Sequence, residues 1–295
     1  MRSSSSPVNA SPVNSAQTPL KSAILKLCNL PTLLIGIVLL YLGLVILIPF
    51  LTLLYEAFHK GFEPFLKALQ ASDLQAAVQL TVLIAAIVLP INTIFGLCAA
   101  WVIARHRFPG RALLLSTIDL PFAISPVVAG LMLVLLYGRN GWLGPWLASI
   151  NVKIIFAWPG MILATLFVTL PFVVREVIPV LEDMGTDQEE AAHTLGANDW
   201  QVFWRITLPH IRWGLLYGVL LTNARAMGEF GAVSVVSGSI LGRTQTLPIF
   251  VEQAYKNYAT EAAFGSATIL AILALVTLIL KEVLERQVGS RSHSL

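Results

Sequence analysis

The sequence predicts an all-α integral membrane protein with six transmembrane helices, and three observations carry that prediction. Of 295 residues, 56% are hydrophobic and only 12% are charged, whereas soluble domains carry about 25% charged residues. Six apolar stretches are long enough to cross a bilayer core, which takes roughly 20 helical residues. None of them alternates in the manner of a membrane β-barrel, so the spans are helical. A chain this poor in charge cannot cover itself with polar groups, and lipid is its expected solvent. Its net charge of +3 is too small to point to nucleic acid.

Residues 1–30, rich in Ser, Pro, Asn and Ala, read as a flexible cytoplasmic tail. The apolar stretch that follows is too long for the core of a cleavable leader and is expected to remain as the first anchor. The spans fall at 31–55, 76–103, 118–137, 154–174, 213–236 and 262–280, within a transmembrane domain over 31–284, and 285–295 form a short cytoplasmic tail. Pro90, Pro121, Pro126, Pro159 and Pro171 interrupt the spans. Each removes a backbone hydrogen bond and kinks its helix, either for packing alone or, at Pro121 and Pro126, to bend a helix along a pathway. Lys and Arg favour the segments on the N-terminal side of the membrane by about two to one, which places both termini in the cytoplasm. Cys28 and Cys98 read as free thiols, and the five histidines have no ligand spacing, so no metal site is expected.

Between Arg175 and Arg212 the chain is polar yet organised. Thr186 with Glu189 has the spacing of a capping box that starts a helix over 187–195. Gly196 is placed to end it in the left-handed conformation. Asn198, with Gln201 three residues on, caps a second short helix that Pro209 is expected to close. That helix carries Trp200, Val202, Phe203, Trp204 and Ile206. Aromatics so grouped mark either a contact surface or packing onto the loop's own membrane helices.

Glu190-Ala191-Ala192, three residues, Gly196, nine residues, then Ile206-Thr207-Leu208-Pro209 give the pattern E-A-A-x3-G-x9-I-x-L-P. This resembles the EAA motif of ABC importer permeases, and it favours the contact-surface reading. The resemblance implies a coupling loop over 182–210 whose short helix docks in a cleft of an ATP-binding subunit, through Glu190, Ala191, Ala192, Gly196, Trp200, Trp204, Ile206, Leu208 and Pro209. No Gly-x-x-x-x-Gly-Lys-Ser/Thr run occurs, so this chain has no phosphate loop of that kind. ATP and Mg are expected on separate ATPase subunits, no cofactor is expected on this chain, and it is not expected to be an enzyme.

The fifth span holds Arg225 and Glu229 at i and i+4, one helix face, with Gly218 and Thr222 continuing that face. A charge at the centre of a bilayer costs about 2.5–3.5 kcal/mol or more, so the pair faces protein or water. It either lines a translocation path or forms an intrahelical or interhelical ion pair that fixes packing between subunits. Asp119 is the other ionisable group expected inside a span, and no nucleophile–base pair accompanies it. Gly214-x-x-x-Gly218 is a weak packing signal.

The stretch Asn223-Ala-Arg-Ala-Met-Gly-Glu-Phe-Gly-Ala-Val-Ser-Val-Val-Ser-Gly238 resembles the sulfate/molybdate branch of these permeases. So do Phe108-Pro-Gly-Arg111, Asp119-Leu-Pro-Phe-Ala-Ile-Ser-Pro-Val-Val-Ala-Gly130, Trp158-Pro-Gly160 and Pro171-Phe-Val-Val-Arg-Glu-Val-Ile-Pro179. Together they are similar to the CysW-type permeases of sulfate/thiosulfate importers. The resemblance implies a type I importer (MetI-like) transmembrane domain with its core region at about 74–281. It also implies a bacterial inner membrane, a CysT-like second permease, an ABC ATPase dimer and a periplasmic sulfate-binding protein. Translocation-path candidates are Arg225, Glu229, Thr222 and Asp119. A molybdate/tungstate permease is the alternative within the class. A secondary anion transporter would show inverted repeats or ionisable groups paired across two halves, and neither is apparent.

Overall fold

A computed structural model of the chain describes residues 30–59 and 61–292, and Cys28 with nearly all of the expected N-terminal tail lies outside the described residues. Among the described residues every regular element is a helix. The chain divides into two compact units, Met1–Thr52 and Leu53–Leu295.

The first unit contributes α1 (Leu30–Leu42), which passes through a π-helical turn, Gly43–Leu47, into α2 (Ile48–Phe58). Leu39, Leu40 and Tyr41 are all more than 60% exposed. Pro31–Phe58, apolar on every side, is long and apolar enough to cross a membrane.

The second unit comprises α3 (Phe62–Gln70), α4 (Ser72–Arg105), α5 (Arg111–Ala123), α6 (Pro126–Tyr137), α7 (Gly144–Ser149) and α8 (Trp158–Met184). There follow α9 (Asp187–Thr194), α10 (Asp199–Val202), a π-turn at Phe203–Thr207, α11 (Leu208–Met227), α12 (Gly231–Ser237), α13 (Leu247–Lys256) and α14 (Thr260–Ser292). The most buried span is α8, which packs between α4 and α11. One core joins Ile84 and Val88 of α4 to Met161 and Val168 of α8 and Val233 of α12. A second joins Ala100 and Ile103 to Val173, Val177, Leu181 and Ile211 at the other end of the same helices. Outward-facing residues of α4 such as Ile94 and of α14 such as Leu278 stay exposed, as lipid contacts require.

The six expected spans are not six continuous helices. Pro31–Phe58, Ser72–Arg105, Trp158–Met184 and Thr260–Leu280 are long and apolar enough to cross a membrane. The third expected span is a pair, α5 and α6, bent by 110°. The break falls at Pro126, which disfavours helical geometry at the residue before it; Ser125 adopts φ −58°, ψ 135°. Pro121 stays inside α5. The fifth expected span also breaks: α11 stops at Met227, and Gly228-Glu229-Phe230 lead into the separate α12. The two broken pieces meet, since a Cβ on Gly130 of α6 would lie 2.7 Å from the Ala232 carbonyl, and one on Gly231 2.9 Å from Pro126.

Two prolines are absorbed by π-turns, one of them Pro209, the proline expected to end its helix. Pro209 does not close the second loop helix, because α10 runs through the π-turn into α11. A proline ring clashes with the carbonyl four residues back. Widening the helix by one residue relieves that clash, and Leu208 N–H bonds Phe203 O. Pro49 stands in the same relation to the first π-turn, where Ile48 N–H bonds Gly43 O.

Candidate functional site

Two features gather the polar chemistry of the second unit: an elbow between α8 and α11, and charged pairs within the helices.

The elbow begins where α8 stops at Gly185, which has φ +66° and lies in open space, so that a Cβ there would meet no atom within 4 Å. Helix α9 follows, and Gly196 at φ +87° turns the chain into α10. The left-handed conformation that glycine takes freely is the one expected there. Asn198 and Gln201 form the reciprocal capping box, with Gln201 N–H donating to Asn198 Oδ1 at 2.9 Å and Asn198 N–H to Gln201 Oε1 at 3.1 Å. The first expected box is not made. Thr186 supplies no side-chain cap. Glu189 turns inward, where Arg105 Nη2 donates to its Oε1 at 3.0 Å and the Thr207 hydroxyl donates to the same oxygen at 2.7 Å. An arginine offers a buried carboxylate more than a backbone cap does.

Glu190, Ala191 and Gly196 are exposed on the elbow's outer side, with Ala192 half-buried. Trp200 and Trp204 are 69% and 49% exposed, with their ring centres 5.5 Å apart. Phe203 faces inward, 5.9 Å from Trp101 of α4, and Val202 is buried. The aromatic helix therefore packs one side on the chain's own spans and leaves Trp200 and Trp204 exposed on the other. Ile206 and Leu208 are half-buried, and Pro209 is exposed.

Arg225 and Glu229 form the expected pair at 2.6 Å, a charge contact off the hydrogen-bonding axis. The partners are unequal, the Arg225 side chain being 34% exposed and that of Glu229 only 1%. Glu229 Oε1 also accepts from Ala232 N–H at 2.8 Å, so the carboxylate holds the start of α12. Thr222 is fully buried and bonds the carbonyl of Gly218 within its own helix at 2.8 Å. The Gly218 face packs on α8, with a Cβ there 3.0 Å from Val173. Thr222 is thus buried within this chain rather than on an open face.

Asp119 is paired with Arg175: Arg175 Nε donates to Oδ1 at 2.7 Å, and Nη2 meets Oδ2. The charge of Arg175 suggests a place at the start of the loop, but α8 continues to Met184 and carries it inside the helix. It is a charged group within a span that composition alone does not assign there. Its side chain is 56% exposed against 27% for Asp119, with the Phe122–Phe172 ring pair beside it. An arginine so placed faces protein or water rather than lipid. Cys98 is a free, exposed thiol, and no group of three potential metal ligands occurs among the described residues.

Long apolar helices, two of them broken in the membrane domain, with a glycine elbow projecting between α8 and α11, define a membrane subunit of a transport system. Residues 94–290 match the family described as binding-protein-dependent transport system inner membrane component. The chain is 70% identical over 257 residues to the sulfate transport system permease protein CysW of Synechocystis, covering 87% of this chain and 93% of that protein. It is 39% identical over 247 residues to the sulfate transport system permease protein CysT of Escherichia coli, covering 83% of this chain and 89% of that one. The chain belongs to the inner membrane component family and, within it, to the CysW-type permeases. Its fold is that of a chain in the crystal structure of a bacterial ABC transporter for the acidic polysaccharide alginate, with TM-score 0.75 at 18% identity over 92% of this chain and 99% of that one.

Proposed function

We infer that this chain is the pore-forming permease subunit of an ATP-driven importer that carries sulfate or thiosulfate across the bacterial inner membrane. The observation that carries the reading is 70% identity to a CysW protein across 93% of its length. Hydrolysis belongs to separate ATPase subunits, which hold the ATP and Mg. A CysT-like chain is the second permease, supported by a relative of that name at 39% identity. A periplasmic sulfate-binding protein delivers the anion, and both termini lie in the cytoplasm.

The elbow is the docking element in this reading. Its exposed side offers Glu190, Trp200 and Trp204 to the ATPase, and its buried side reaches the spans. Arg225 and Arg175 are the groups best suited to a path for an anion. In each pair the carboxylate is the more buried partner and the guanidinium the more exposed, so the surface left open is cationic while the pair is neutral overall. A neutralised arginine attracts an anion without trapping it in mid-membrane.

The test is ATP-dependent uptake of labelled sulfate by the complex reconstituted in vesicles, with molybdate as competitor. Saturable uptake that molybdate leaves unchanged supports the sulfate reading. Uptake without ATP rejects the importer class, and preferential uptake of molybdate moves the chain to the other branch.

A further inference from the structure

Arg105 is the last residue of α4 and Glu189 lies in the first turn of α9, yet their side chains are only 8% and 9% exposed. Arg105 Nη2 donates to Glu189 Oε1 at 3.0 Å, while Nε sits 2.9 Å from Oε2 as a charge contact off the hydrogen-bonding axis. Nη1 donates to the Leu181 carbonyl in the last turn of α8 at 2.8 Å. The Thr207 hydroxyl, in the π-turn that opens α11, donates to the same Oε1 at 2.7 Å. One guanidinium and one carboxylate therefore join the ends of α4 and α8 to the elbow helix and to the entry of α11. Trp101, one turn back on α4, lies 5.9 Å from the Arg105 guanidinium and continues the contact to Phe203.

Without this cluster the elbow would hang on soft joints. Gly185 at φ +66° connects α9 to α8 and Gly196 at φ +87° connects it to α10, both with open space around them. A push on the elbow's exposed side would then turn α9 at its two glycines and leave α4 and α8 behind. A buried ion pair adds little net stability, but the three hydrogen bonds that converge on this one restrict its geometry. Elements locked in one geometry move as a rigid body.

We propose that Arg105, Glu189 and Thr207 form a clamp that makes displacement of the elbow move α4, α8 and α11 together. They are positioning residues, touching neither nucleotide nor cargo, and the proposal rests on the docking role given to the elbow above. Glu190, the next residue, faces solvent and is left for the partner; Glu189 serves the chain's own helices.

The clamp is tested in the whole complex in vesicles, with Glu189→Gln, Arg105→Lys and Thr207→Val variants, by measuring sulfate taken up per ATP hydrolysed beside subunit stoichiometry. The expected result for Glu189→Gln and Arg105→Lys is a complex of normal stoichiometry that still hydrolyses ATP but moves at least about fivefold less sulfate per ATP, the scale of an ordinary coupling energy. Thr207→Val keeps the ion pair and shows a smaller loss in the same direction. An unchanged ratio in an assembled variant overturns the clamp, including the case where hydrolysis and uptake fall in proportion. If the charge variants fail to assemble, an unchanged ratio in Thr207→Val overturns it. The wild-type complex separates the two claims: no ATP-dependent uptake there rejects the functional reading, whereas an unchanged ratio in variants of a transporting complex rejects the clamp alone.

Discussion

Asn92 of α4 donates to the Thr169 hydroxyl of α8 at 2.8 Å, and one turn further along both helices Gly96 meets Val173 so closely that a Cβ would lie 2.7 Å from the valine Cβ. The two contacts run in the same direction along the two helices, so α4 and α8 are parallel and end together at the elbow. Asn92 also donates to the Leu166 carbonyl at 3.2 Å. Interhelical hydrogen bonds in membranes average about 0.6 kcal/mol and reach roughly 1.7. Asn92→Leu is therefore expected to lower stability by about 1 kcal/mol. Unfolding of the purified subunit in mixed detergent measures it, and no change would remove the polar bond from the contacts that matter.

Gly96→Leu tests the steric half of the same contact. Overpacking a tight site costs about 1–3 kcal/mol, and at Gly96 the obstacle is the β-carbon of a buried valine, which cannot swing away. The variant should lose folded protein in the membrane, and Gly96→Leu with Val173→Ala should recover part of it. Gly36 has open space around it, so Gly36→Leu serves as the neutral control.

Removing one member of the Asp119–Arg175 pair should do more harm than removing both. A single substitution leaves an uncompensated charge inside a span, which costs about 3–5 kcal/mol where the pair is buried and less at this half-exposed one. Asp119→Asn and Arg175→Gln are each expected to reduce folded yield, with the double variant closer to wild type. A double variant worse than either single one contradicts the pairing. If it folds and assembles yet fails to take up sulfate, Arg175 belongs on the anion's route.

Arg225→Ala strips Glu229 of its counter-charge while the carboxylate still caps α12. Glu229→Gln added to Arg225→Ala relieves that charge and keeps an oxygen for Ala232 N–H, so the double variant should fold better than the single. Uptake by the assembled double variant decides the remaining role: normal transport removes Arg225 from the path.

Trp200→Ala with Trp204→Ala should leave the subunit's own stability within about 0.5 kcal/mol, as exposed positions usually do, while co-purification with the ATPase fails. Gly196→Ala differs, because nothing crowds its Cβ; the left-handed backbone itself costs about 1–2 kcal/mol with a side chain present. Intact association in the tryptophan variant rejects the elbow as a docking element.

The solvent, the number and rough position of the apolar segments, and the elbow are all legible in the residues read in order. Each of these follows from short-range information: hydropathy over a helix length, Gly196 where a left-handed residue is needed, and Asn198 with Gln201 three residues on. Local inference fails where a distant partner outbids the local one. Glu189 has the spacing of a capping residue, but Arg105 lies 84 positions away and claims it. Arg175 looks like loop because it is charged, but Asp119, 56 positions away, makes it tolerable inside α8. The break at Ser125 has a local cause in Pro126, yet Pro121 and Pro209 stay inside helices, so a proline alone does not decide whether its helix bends. Those partners are chosen by the folded chain, because the free energy of a charge in an apolar span is set by what its neighbours in space bring within reach.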